Sequence, residues 1–207
     1  LLSIPAAVAL IVLAEPIINI LFQHGKFGTL QTTMTARAVI AYAIGLPAYV
    51  LVKALAPNFF ARGDTKTPVK YSIIVLLTNL SFSIILMKPF GHVGIASATT
   101  IAAFVSLWQY LRGLKKRDFW QFSRSLAIET AKIAACSLVM GAVIGCGKFL
   151  LNCHYENWLH LSILPKLGWF GALCILGLAT FIITAKLSGV LDIKEILNMF
   201  RRRSAKC

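Results

Sequence analysis

Six runs of apolar residues, each near twenty long, set the limits on what this chain can fold into. They cover about residues 3–22, 34–57, 69–87, 93–112, 126–150 and 167–187. A helix needs about twenty such residues to cross a hydrocarbon core roughly 30 Å thick. The ten-residue segments of alternating polarity that build a membrane barrel do not occur. With 58% of its residues hydrophobic and 14% charged, the chain reads as an all-α, polytopic helical membrane protein with six transmembrane helices. Its organisation is expected to be four helices with basic connections (1–124), a further helix pair (125–188) and a basic amphipathic tail (189–207).

The formal net charge is +14, which in a soluble chain would suggest nucleic acid. Here the cations sit between spans. Alternate connections carry Arg62, Lys66 and Lys70, then Arg112, Lys115, Lys116, Arg117 and Arg124, then Lys186, Lys194, Arg201, Arg202, Arg203 and Lys206. The opposite side has Lys26, Arg37, Lys88, Lys148 and Lys166. The richer side is expected to be cytoplasmic, which puts the C-terminus there. Basic residues beside Phe119, Trp120 and Phe122, and the tail helix Leu191–Phe200, read as anchors to anionic membrane lipids; no nucleic acid partner is expected. Leu1 opens directly in an apolar span without a charged leader, so the chain is expected to be the C-terminal part of something longer.

Polar residues inside apolar spans are the functional candidates, because hydrocarbon tolerates them poorly. Glu15, before Pro16, either reaches the interface or lines a polar cavity. Arg37 stands one turn into the second span and Lys53 about one turn from its far end. Each is either a snorkelling anchor or part of a cationic path. Sixteen residues separate them, so they point about 160° apart on a straight helix. A bend or break at Gly45 and Pro47 would be needed to bring them to one face, a device common in transporters. Asn79, with Ser81 or Ser83, reads first as interhelical hydrogen-bond glue. Thr32, Thr33 and Thr35 are N-cap candidates for the second span, and Thr67-Pro68 reads as the cap and first position of the third. Gly94, Ala98 and Ala102 form a small-residue stripe, Gly141 and Gly145 a GxxxG pair, and Glu129 and Lys132 can pair on one face.

The chemistry of an enzyme is not legible. There is no GxxxxGK[ST], GxGxxG, HExxH or GxSxG pattern, and no catalytic residue or cofactor is expected. Cys153, His154 and His160 could be drawn around a metal, but no fourth ligand has sensible spacing, so no metal is expected.

Three stretches carry a resemblance: Ile4-Pro5-Ala6 through Glu15-Pro16 to Gln23-His24-Gly25-Lys26-Phe27; Ala41-Tyr42, Gly45-Leu46-Pro47 and Val52-Lys53-Ala54-Leu55-Ala56-Pro57; and Phe59-Phe60-Ala61-Arg62-Gly63-Asp64-Thr65-Lys66-Thr67-Pro68-Val69-Lys70. Over residues 1–112 the chain resembles the MurJ (MviN) family of bacterial lipid II flippases, within the multidrug/oligosaccharidyl-lipid/polysaccharide exporter superfamily. The resemblance implies helices nine to fourteen of a fourteen-helix, two-lobe transporter in the bacterial inner membrane. Four helices would complete the C-terminal lobe, and the last pair would shape a groove for the polyprenyl tail. The partners would be lipid II and the N-terminal lobe of the same protein. Lys53 matches the lysine of the family's VKxLAP motif and becomes the first substrate-binding candidate, followed by Arg37, with Glu15 and Asn79 as further polar lining. The turn departs from the family's FYxRQD-like form by having Gly63 for Gln, which leaves no side chain for a role there. Two other readings remain: export of another lipid-linked glycan or a drug, and a non-transporting lipid-binding scaffold. A drug exporter calls for an acidic cavity, against which Lys53 counts.

Overall fold

The structure, a computed structural model, describes residues 2–22, 28–116, 124–154 and 163–189. Seven helices occupy them: α1 Ser3–Phe22, α2 Thr29–Leu55, α3 Pro57–Phe60, α4 Lys66–Phe90, α5 His92–Lys116, α6 Arg124–His154 and α7 Ile163–Leu187. No strand occurs among the described residues. Counting α2 with α3, six helical segments are long and apolar enough to cross a membrane, as the six apolar runs require. The chain is an all-α, multi-pass membrane protein. The described helices fall into two compact units, α1–α5 and α6–α7.

In the first unit α2 and α5 lie side by side and run parallel, because α2 meets α5 at Ala41 with Thr100 and, further along both, Val52 and Leu55 pack on the cluster that holds Tyr110 and Leu114. Helix α1 packs along α2, and α4 along α5. Small residues allow the close contacts. Gly94 lies against the Leu86 backbone, where a side chain has no room, and Ala98 and Ala102 are buried, as the small-residue stripe predicts. Gly91 alone joins α4 to α5, in the left-handed region at φ +55°, so the gap between the apolar runs 69–87 and 93–112 shrinks to one residue and α4 carries Pro89 within its last turn.

At the far end Phe59 is fully buried between Tyr71 and Tyr110. Its ring meets theirs edge-on, at centroid distances of 6.3 and 5.5 Å. Tyr71 and Tyr110 also meet edge-on at 5.3 Å, the geometry aromatic quadrupoles favour. Gly113 admits the Tyr71 hydroxyl. This triad fixes α3 between α4 and α5 and so positions the basic turn that follows.

Helix ends depart from the sequence reading. Helix α2 begins at Thr29, ahead of the expected residue 34, with Gly28 at the N-cap and the Gln31 amide oxygen accepting from the Gly28 N–H at 3.1 Å. Thr32, Thr33 and Thr35 are not caps: their hydroxyls donate to the carbonyls of Gly28, Thr29 and Gln31. A threonine that satisfies itself one turn back need not end a helix. Helix α4 likewise begins at Lys66, and Thr67 does not cap it. Asp64 Oδ1 accepts from the Thr67 N–H at 3.1 Å, occupying a first-turn donor that a helix start leaves open.

In the second unit Ile133, Cys136, Met140 and Ile144 of α6 are buried, as are Leu173, Phe181 and Ala185 of α7. The helices run antiparallel: Gly177 lies against Ile144 and Gly147 against Leu173. Lys132 Nζ donates to the Ser188 carbonyl at 3.3 Å, a partner beyond its own helix that the sequence reading did not foresee. The basic aromatic connection around Phe119, Trp120 and Phe122, the connection at residues 23–27, and the tail from residue 190 lie outside the described residues. So do the side chains of Cys153 and His154, and all of His160.

Candidate functional site on the second helix

Helix α2 passes through Gly45 and Pro47 without interruption and ends only at Leu55, where Ala56-Pro57 starts α3. The break at Gly45 and Pro47 that would bring Arg37 and Lys53 to one face is therefore absent. A proline removes one helical donor and crowds the carbonyl four residues back, here Ala43. The surrounding segment is held from outside: Thr100 Oγ1 donates to the Ala41 carbonyl at 2.6 Å, and the Tyr49 hydroxyl donates to the Thr99 carbonyl at 3.1 Å. Gly45 lets α5 approach, since a Cβ there would stand 2.9 Å from Thr100 Oγ1. Neighbouring helices keep such segments satisfied in hydrocarbon.

With the helix unbroken, Arg37 and Lys53 keep their opposed directions and lie about 24 Å apart along the axis. Both are exposed, and a single phosphate cannot meet both. Glu15 and Arg37 do come to one level: each adjoins a member of the buried cluster of Ala14, Ile18 and Ala36 that joins α1 to α2. Asn79 stands apart on α4. Its Oδ1 accepts from Ser83 Oγ at 3.1 Å within the same helix, so the bond found there does not tie two helices together. The amide and hydroxyl are one turn apart and reach each other more readily than any neighbour.

The structure reveals a stripe that reading by charge alone missed. Tyr42, Leu46, Tyr49 and Lys53 recur at helical spacing and fall within about 60° of one another around α2. The face that packs on α1 (Ala36, Ala43) lies to one side of them, and the face that packs on α5 (Gly45, Ala48) to the other. Leu10, Val39, Tyr42, Ala43, Leu46 and Tyr49 line a groove of ≈ 270 Å³ along this stripe. Tyr42 and Tyr49 are 44% and 36% exposed, so the rings form walls rather than a core. Lys53 follows one turn beyond Tyr49 on the same stripe, past the residues that line the groove. The signal lay in the i, i+4, i+7, i+11 spacing.

The model of the family described as "Lipid II flippase MurJ" matches residues 1–166. This chain belongs to the MurJ family. The match reaches beyond residues 1–112, where the motifs lie, through all of α6 and into the start of α7. Among curated relatives of this MurJ-family chain, the probable lipid II flippase MurJ of Rhizobium tropici is 37% identical over 207 residues, covering 99% of the chain and 38% of the relative. That of Rickettsia prowazekii (strain Madrid E) is 36% identical over 193 residues, covering 93% of the chain and 37% of the relative. A solved structure titled "Lipid II flippase MurJ, inward closed conformation" superposes with a TM-score of 0.70 at 29% identity, over 89% of this chain and 35% of that one. The chain thus spans little more than a third of the length of these relatives.

Proposed function

We propose that this chain is part of a lipid II flippase that carries the undecaprenyl-linked peptidoglycan precursor from the cytoplasmic to the periplasmic leaflet of the bacterial inner membrane by alternating access. The observation that carries the reading is the family match over residues 1–166, whose members bear that name. The physics is consistent with it. A diphosphate crossing hydrocarbon unaided loses its hydration at a cost of many kcal/mol, and a path lined by cations lowers that cost while the tail stays in lipid. The protein supplies binding and passage rather than bond chemistry. Its partners are lipid II and the remaining lobe of the transporter, its basic connections face anionic lipid, and its C-terminus is cytoplasmic.

Within this part, Lys53 is the proposed headgroup contact, because it is exposed, lies one turn beyond the groove residue Tyr49 on the same stripe, and occupies the family's motif position. Arg37 and Glu15, at one level of the α1–α2 pair, would line a second polar position, and Asn79 a third on α4. The test is the outer-leaflet accessibility of lipid II in cells depleted of the full-length protein. Wild type should restore exposure and Lys53→Ala should restore it only weakly. Exposure that survives depletion in a strain with no second flippase removes the lipid II reading. Full rescue by a normally expressed Lys53→Ala form removes this lysine from the path.

A further inference from the structure

We infer that the groove along α2 is the seat of a resident anionic glycerophospholipid, with one acyl chain against Leu10, Tyr42, Leu46 and Tyr49 and its phosphate at Lys53. The groove is walled by apolar side chains and two phenol rings, which suits a hydrocarbon chain and no polar solute. The Tyr49 hydroxyl is already engaged by the Thr99 carbonyl, so its ring is held as a fixed wall and presents carbon to the groove. Lys53 supplies the only charge among the four residues of the stripe, and that charge is positive, so the complementary ligand is an amphiphile with an anionic head.

Length selects the kind of amphiphile. From Lys53 to Tyr42 the helix rises about 16 Å, close to the roughly 15 Å of hydrocarbon in one leaflet. A phosphate at the level of Lys53 therefore places an ordinary acyl chain along Tyr49, Leu46 and Tyr42 and within one leaflet. A much longer polyprenyl chain would overrun it. The inference goes beyond the flippase reading and does not depend on it: the lysine can meet either phosphate, one at a time.

The experiment uses the full-length protein reconstituted in phosphatidylcholine nanodiscs without lipid II. A small fraction of either phosphatidylglycerol or phosphatidylcholine carries a photoreactive diazirine in one acyl chain, and adducts are mapped by mass spectrometry. Phosphatidylglycerol should label Leu10, Tyr42, Leu46 and Tyr49 about fivefold more than phosphatidylcholine, the factor one lysine contributes near an anionic surface. Lys53→Gln should bring the two lipids level and Lys53→Arg should keep the difference. Leu46→Trp, which fills the groove and leaves the lysine, should abolish labelling there while labelling of α4 persists. Equal labelling by the two lipids in the wild type, an unchanged preference in Lys53→Gln, or a stripe that takes no label while α4 does each overturn the inference. Because lipid II is absent, none of these outcomes bears on flipping.

Discussion

The Thr100 hydroxyl donates to the Ala41 carbonyl across 2.6 Å, joining two parallel helices at a point where Gly45 alone makes room. The bond and the glycine act as one contact. Gly45→Ala should destabilise the protein by about 1–3 kcal/mol through overpacking, because the Thr100 backbone as well as its hydroxyl lies in the way. Thr100→Ala should cost about 1 kcal/mol for the lost bond. The double variant should lose less than the two together, since removing the hydroxyl relieves part of the crowding. Thermal unfolding of the four forms in one detergent measures the coupling; strict additivity would show that the two residues act separately.

The aromatic triad gives a second expectation. Phe59 is fully buried, with Tyr71 and Tyr110 edge-on to it. Phe59→Ala should cost about 3–5 kcal/mol, and Phe59→Leu, which restores most of the volume, distinctly less. Proteolysis at the Arg62–Lys66 turn should accelerate in the alanine form, because α3 loses its anchor. An unchanged cleavage rate would detach the triad from the turn.

Gly63 is left-handed at φ +72° with nothing within 4 Å of where a Cβ would stand. Gly63→Ala should therefore destabilise by about 1–2 kcal/mol through backbone strain alone, and Gly63→Asn by less, since asparagine tolerates that region. Asp64→Ala removes the acceptor of the Thr67 N–H and should cost about 0.5–2 kcal/mol. Equilibrium unfolding of the three variants checks the order.

Arg37 and Lys53 lie on opposed faces of one unbroken helix about 24 Å apart. Their neutralisation should act independently: in a phosphate-lipid binding assay the double variant Arg37→Gln/Lys53→Gln should equal the sum of the singles within about 0.5 kcal/mol. A larger coupling would mean that α2 bends in the working protein.

Span number was legible because hydropathy and length are local quantities, and six runs near twenty residues admit few other folds. Helix ends were less so. Thr32, Thr33 and Thr35 look like caps by residue type, but each finds a carbonyl one turn back, which residue type does not reveal. Pro47 left open whether the second span bends or breaks, because what holds that segment comes from Thr99 and Thr100, at least fifty positions away, and such a partner leaves no mark in the local pattern. The site divides in the same way. Lys53 was found by its charge in an apolar run and by its motif. Tyr42 and Tyr49 were overlooked because tyrosines in a membrane helix draw no notice until the flanking faces are seen to pack elsewhere.

The single residue between α4 and α5 has a consequence for how the molecule is made and handled. With Gly91 as the whole link, there is no slack for one helix to enter the bilayer while the other waits, so the pair must be threaded as a hairpin. Any tilt of one in the finished protein drags the other. The same brevity leaves that edge almost no soluble surface, which makes it a poor place for a tag or an antibody and a good one to leave untouched.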